Sequence, residues 1–502
     1  MRDPCQTSID LLRGRIEPLL RSRAGASRIW FADARDPFPD APAAGIVDVV
    51  LFGNFLRRFV DCAAWPETRV RIWVLCAAAR DILCDLLGVP QRNVAVLPRE
   101  AVYPSHPAPH AWPAPSGEFA LVYAGRLSPA KNIGLLLRTV SALQWRERIP
   151  VTLHLFGEFD DWAPADRGER EVPGYRRSML GLADRLEWTH RPVFHGQVAP
   201  EDWVRADLRD PVLVNLSTFY CEDFGVSLGQ AREAGWPAIV TDWGGLREAP
   251  GPRILKIPAP AIGETSEPEW KQDLLAGALA ARIARRLRSP DPGEDEAGDH
   301  GGGATEPASD FPEPPRAIPV AELRAIRGKA LGKYGATMDR VGAGLANEYA
   351  CTPEGGAFFE LYRERMAGPA REATLVVIND HVDPSDPVLR ALLETASSAT
   401  RALVSMGEDP LFVALRDSAR PGFRAFFPRA RRIVVPFASG QLPLLINGWR
   451  RGLRARAPIR ILARRETLTS HADPTVELIR SSLGPGDRFV ELHGEVRPED
   501  LG

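Results

Sequence analysis

Arg126 and Lys131 stand five positions apart in YAGRLSPAKN, where an apolar run gives way to a polar loop. Two cations on a strand-end loop can neutralise the charge that grows on a departing diphosphate. Arginine binds two oxygens at once, and lysine acts as a compact point charge. A second group lies in CEDFGVSLGQAREAGWPAIV, residues 221–240. Glu222 precedes a helix-period stretch and Gln230 lies within it, so a carboxylate and an amide can point at one ligand. Both suit sugar and ribose hydroxyls. Phe224, Gly225 and Val226 form the junction between them. Glycine there lets the backbone approach a ligand closely, and the start of a helix offers free N–H groups to phosphate. A third group, TDWGGLREA, places Gly244 and Gly245 after another apolar run, with Glu248 close behind. The amides of such a pair can wrap a phosphate or a sugar.

Each group also has a plain reading: solvated surface cations, a glycine that fits a strand–helix crossover, an ordinary turn. Their coincidence is the stronger observation. All three follow predicted strands of one sheet, at the edge where open α/β sheets bind ligands.

The elements that position them are legible as alternating apolar runs and amphipathic stretches, the pattern of an α/β chain. FALVYAG, VTLHLFG, RPVFHG, PVLVNLS and PAIVTD read as strands, and IGLLLRTVSALQW as a helix. Before them, SRIWFADA, IVDVVLF, RVRIWVLC and NVAVLP read as strands, and CAAARDILCDLLGVP as a helix ending on glycine and proline. Residues 105–117 form a proline-rich connector, which puts a domain boundary near 115. Residues 289–315 are acidic, rich in glycine and proline and poor in aliphatics, so a disordered insertion is expected there. Helical patterning resumes at VAELRAIRGKALGKY, which makes the insertion part of a domain spanning 116–368. A third α/β unit, 369–502, is read from ATLVVIND, ATRALVSM, RRIVVPF, IRILAR and RFVELHG. Its HGEVRPEDL parallels HGQVAPEDW at 195–203, a degenerate internal repeat or a recurrence of local helix-start chemistry.

In their order along the chain, GRLSPAK, HLFG, VFHG, EDFGVSLGQ and DWGGLRE resemble the motifs of retaining GT-B glycosyltransferases of family 4, the glycogen-synthase and mannosyltransferase-like group. The likeness covers residues 120–250 well and 250–350 loosely. It implies a GT-B-like pair of Rossmann-like domains, the N-terminal one (1–115) short, joined here to the extra C-terminal α/β unit. It implies a donor site of Gly125, Arg126, Lys131, Gly157, Glu222, Phe224, Gly225, Val226, Gln230, Gly244 and Gly245. Within it Arg126 and Lys131 would hold the diphosphate, Glu222 the transferred sugar and the residue at 230 the ribose. The reaction implied is transfer from a nucleotide-diphosphate sugar to a hydroxyl of a glycan, lipid-linked or protein acceptor, with retention and without metal or cofactor. Two departures stand out. The family's second glutamate is Gln230 here, and residues 1–105 contain neither histidine nor a Gly-Gly pair. A non-catalytic GT-B scaffold or nucleotide-sugar-binding partner is therefore the alternative.

Composition sets the remaining bounds. The 502 residues exceed one ordinary domain, and 44% hydrophobic with 25% charged residues is usual for globular chains. A net charge of −2 gives no global reason to expect nucleic acid. Six scattered cysteines suit a reducing compartment, and the charged N-terminus lacks a signal-like apolar segment. No run of about 18 apolar residues occurs, so the expected location is the cytoplasm. The Arg-rich stretch 449–465 reads either as a solvated surface or as a peripheral contact with anionic lipid or a polyanionic acceptor.

Overall fold

The computed structural model describes residues 4–32, 45–52, 68–85, 87–104, 106, 111–113, 117–159, 174–199, 202–217, 222–249, 251, 253–257, 269–288, 311–334, 483 and 487–492. It also describes the strands within 372–379, 400–407, 430–435 and 459–464. Three mainly parallel sheets organise the chain. The architecture is α/β, with two Rossmann-like units, the first of them short, and a third α/β unit.

The first unit starts with helix α1 (Pro4–Arg23), followed by strands β1 (Ile29–Ala32), β2 (Gly45–Leu51) and β3 (Thr68–Val74). Helix α2 (Ala77–Asp85), strand β4 (Val94–Val96) and the short helix α3 (Arg99–Val102) complete it. The strands are buried on both faces, as a parallel sheet requires. One face carries Val47, Val49, Val70 and Ile72 against Ile82 and Leu83 of α2. The other carries Phe31, Val50 and Trp73 against Leu12, Ile16 and Leu20, which recur every fourth residue of α1. Full burial of each such side chain stabilises by about 1.5–3 kcal/mol. Beyond α2, Gly88 sits at φ 79°, and the N–H groups of Gly88 and Val89 close back onto the carbonyls of Cys84 and Leu83. That is the glycine-terminated ending expected from CAAARDILCDLLGVP.

The second unit runs β5 (Phe119–Ala124), α4 (Ile133–Trp145), β6 (Val151–Phe156), α5 (Tyr175–Arg185), β7 (Val193–Gly196) and β8 (Val212–Asn215). It continues through α6 (Val226–Glu233), β9 (Ala238–Thr241), α7 (Gly244–Arg247), β10 (Ile254–Ile257) and α8 (Glu269–Arg288). Its six strands are parallel in the order β10-β9-β8-β5-β6-β7. The order reverses direction between β5 and β8. At such a switch point the two strand-end loops diverge to opposite faces and leave a crevice. Helix α4 is covered on nearly every side, and buried Gln144 near its end is fully engaged. Gln144 donates to the carbonyls of Val151 and His190 and accepts from the N–H groups of Thr189 and His190.

One boundary differs from the sequence reading. Residues 311–334, assigned above to the middle domain, join the first unit instead. Strand β11 (Ile318–Pro319) pairs antiparallel with β3, and helix α9 (Val320–Tyr334) adds Val320 and Leu323 to the first core. Phe311 packs on Trp73, with ring centroids 5.7 Å apart. The insertion itself lies outside the described residues over 289–310.

The third unit is a parallel sheet of β12 (Glu372–Asn379), β13 (Thr400–Gly407), β14 (Ala430–Val435), β15 (Ile459–Arg464) and β16 (Arg488–Leu492). Its order is β13-β12-β14-β15-β16. HGEVRPEDL and most of the Arg-rich stretch lie outside the described residues. Among the described residues no helix is long and apolar enough to cross a membrane.

Candidate functional site

The loops after β5 and β8 flank the switch point, and they carry Arg126, Lys131 and Glu222. The first loop starts with two backbones in close contact. A Cβ on Gly157 would lie 1.8 Å from the Gly125 carbonyl oxygen, so only glycine permits the approach. Gly125 donates to the Phe156 carbonyl and Gly157 to that of Gly196, which links the ends of β5, β6 and β7. The hydroxyl of buried Tyr123 donates to the Arg126 carbonyl at 2.7 Å and fixes the chain where the first cation emerges.

Pro129–Lys131 form a single tight turn, after which Asn132 takes a left-handed conformation at φ 55°. Asparagine tolerates that region better than most residues. Its side-chain amide donates to the Leu216 carbonyl at 2.7 Å, pinning the loop after β5 to the loop after β8. Lys131 is thereby brought to Glu222, with Nζ 2.6 Å from Oε2 and 3.3 Å from the Ser217 hydroxyl. Both side chains are largely buried, 13% and 9% exposed. Burial by itself would raise the Glu222 carboxyl. The charge of Lys131, hydrogen bonds from Lys131 and Ser217, and the nearby Arg126 outweigh it and hold the group below its ordinary value.

The loops after β8 and β9 meet each other. Gly225 adopts φ 66° at the start of α6, where a Cβ would press to 2.6 Å from Leu246. The Gly245 N–H donates to the Glu222 carbonyl at 2.7 Å, and a Cβ on Gly245 would lie 1.9 Å from the Asp223 carbonyl oxygen. These contacts correct part of the sequence reading. The Gly245 amide is engaged within the protein and is not open to a ligand, whereas Gly244 turns the chain at φ 50°. Phe224 is buried among first-unit side chains, its ring 5.9 Å from that of Tyr103, and Val226 packs on the same cluster. The Phe224 side chain therefore anchors the loop. Gln230 is buried within α6.

Sequence reasoning named Glu248 but not what it meets, and it missed the other side chains that join the two units. Glu248 accepts from the N–H groups of Ala77 and Ala78, at 2.9 and 3.1 Å, and so caps α2. Its carboxyl is raised above the usual value by burial, which the two N–H bonds and Arg99 only partly offset. Trp243, from the second unit, is 5% exposed and lies in the core of the first sheet. Arg15 binds Glu233 at 2.8 Å, and Arg232 binds Glu100 at 3.0 Å. No local pattern signals such pairs, because the partners are far apart in sequence. Among the described residues no group of three or more histidines, cysteines, aspartates or glutamates could hold a metal ion.

A loop pair with two cations and a glutamate, set at a switch point, is suited to an anionic ligand bearing hydroxyls. The comparison with known families falls on this part of the chain. Residues 108–254 match the family model of the glycosyl transferases group 1. The group 1 segment thus spans β5 to the first residue of β10, with every candidate donor residue inside it. No curated protein matches the chain in sequence. Among solved structures, the apo form of lipopolysaccharide outer core galactosyltransferase WaaB is 14% identical, with a TM-score of 0.32, over 56% of this chain and 74% of that one. The pneumococcal O-GlcNAc transferase GtfA, solved with UDP and GlcNAc, is 15% identical, also with a TM-score of 0.32. That match covers 59% of this chain and 57% of that one.

Proposed function

We propose that the protein is a retaining, metal-independent glycosyltransferase of the family-4 type, moving a sugar from a nucleotide-diphosphate donor to an acceptor hydroxyl. The observation that carries this reading is the Lys131–Glu222 pair at the switch point with Arg126 alongside, inside the group 1 segment. When a donor enters, its diphosphate competes with Glu222 for Lys131. The lysine turns to the phosphates together with Arg126, and the released carboxylate accepts hydrogen bonds from sugar hydroxyls. As the bond from the anomeric carbon to the diphosphate breaks, the two cations take up the charge on the leaving group. The acceptor oxygen forms its bond on the face that the diphosphate leaves, and its proton passes to the departing diphosphate oxygen.

The acceptor is a glycan, lipid-linked or protein hydroxyl in cytoplasmic polysaccharide or glycoconjugate synthesis. The Arg-rich stretch 449–465 supplies contact with an anionic membrane surface. The test is a thermal-shift panel of nucleotide sugars and nucleoside diphosphates, followed by donor hydrolysis and transfer assays. Stabilisation by one base, with slow donor hydrolysis, supports the reading; no shift with any nucleotide overturns it.

A second reading, a non-catalytic donor-binding scaffold, is favoured by Gln230 and by the engagement of Gly245 and Glu248 within the protein. It requires a nucleotide-induced shift without hydrolysis or transfer.

A further inference from the structure

We infer that Arg99 is a positioning residue, which reaches from the first unit to clamp together the two loops that carry Glu222 and the Gly-Gly pair. The inference rests on the donor-site reading only for what those loops bind.

Arg99 opens α3 directly after Pro98 and is 7% exposed. Its Nη2 donates to two backbone carbonyls, those of Phe224 and Gly245. One acceptor lies two residues after Glu222. The other belongs to the residue whose own N–H donates to the Glu222 carbonyl. One planar group therefore bridges the loop after β8 and the loop after β9 at the point where they touch. The guanidinium also lies over the Phe224 ring, 5.3 Å from its centroid.

This cation is poorly explained by stability. Nε and Nη1 are buried and have no hydrogen-bond partner among the described residues. Glu248 and Glu100 act on the charge only from a distance. An apolar side chain of similar length often serves a buried position as well as a buried ion or better. What arginine adds is a rigid planar end whose Nη2 holds its two hydrogens in fixed directions, one for each carbonyl. Neighbouring contacts hold the clamp in place. The Tyr103 ring fills the space beside Gly229, where a Cβ would come within 2.5 Å of it, and Glu248 reaches back to α2. The first unit is thus a fixed buttress for the donor loops, whatever else it contributes to the acceptor side.

The experiment uses full-length Arg99→Met and Arg99→Lys and reads amide hydrogen exchange without ligand. The expected result is local. Exchange at the Gly245 amide and across 224–226 rises at least about tenfold in Arg99→Met, while β5, β6 and β8 keep wild-type protection. Arg99→Lys, with charge on a shorter stem and no planar end, falls between the two. Unchanged exchange at Gly245 in Arg99→Met overturns the clamp. If Arg99→Met does not fold, Arg99→Lys decides: a local rise confines the effect to the loops, and an equal rise over all strands overturns it. Titration with UDP, GDP, ADP and dTDP then separates the two claims. Binding by wild type that weakens about tenfold or more in Arg99→Met supports both. Absence of binding in wild type defeats the donor reading, and the exchange data still decide the clamp.

Discussion

Lys131 Nζ lies 2.6 Å from Glu222 Oε2, across the crevice where the strand order of the second sheet reverses. The two residues are separated by most of the second unit in sequence, and each sits on a strand-end loop fixed by other bonds. Asn132 fixes one and Gly245 the other.

Removing either partner leaves a largely buried charge uncompensated. Lys131→Met is expected to cost about 3 kcal/mol, and the double variant Lys131→Met/Glu222→Gln less than the sum of the singles. Urea unfolding of the four proteins measures the coupling. Stabilisation by nucleoside diphosphate should vanish in both variants that lack Lys131. Retained nucleotide stabilisation and turnover in Lys131→Met would remove the lysine from the diphosphate role.

The glycine at 157 is a steric requirement. Gly157→Ala forces a methyl against the Gly125 carbonyl at a φ of 147° and should destabilise by about 3 kcal/mol or more. Gly328→Ala in α9 is the matched control, with no atom of the described residues within 4 Å of the new methyl. It should stabilise by about 0.5–1 kcal/mol through helix propensity. Equal effects from the two substitutions would contradict the close approach of the β5 and β6 loops.

Trp243 ties the second unit into the core of the first. Trp243→Ala should cost about 3–5 kcal/mol and weaken the coupling between the units. Calorimetry should show a broadened or divided transition where wild type gives a sharper one. A single unchanged transition would show that the side chain does not join the units.

A pH effect is expected from His154 and His195. Their ring nitrogens Nδ1 and Nε2 are 2.9 Å apart, brought together by a bulge that inserts His195 opposite the Leu155–Phe156 step. Burial, then for His154 the neighbouring ring, lowers both below the ordinary value. The unfolded chain therefore takes up protons first as pH falls below about 6.5. Stability should decline from there down through the folded-state values, and the decline should be smaller in His195→Asn. Melting temperatures between pH 5 and 8 test this, and an identical slope in the variant would exclude the pair as its source.

Much of this protein is written locally. The apolar runs around Leu121, Leu153, Val214 and Ile239 become strands because burial on both faces of a parallel sheet requires continuous hydrophobicity. Gly88 ends α2 because a left-handed turn needs a residue without a Cβ. The short strands β10 and β11 are less legible, since Lys256 interrupts the apolar run of β10 and two residues of β11 hold too little pattern. The candidate chemistry was readable as residue types after strands: Arg126, Lys131, Glu222 and the glycines at 225, 244 and 245.

Tertiary structure alone decided what those residues meet. It paired Lys131 with Glu222, directed Phe224 into the first unit and engaged the Gly245 amide with the Glu222 carbonyl. It also returned residues 311–334 to the first sheet, and brought Arg99 and Glu248 across the junction between the units. The reason is physical: backbone propensity and hydrophobic period act over a few residues. Ion pairs, buried carbonyls and steric contacts depend on which loops strand order brings side by side, and no local stretch of sequence encodes that order.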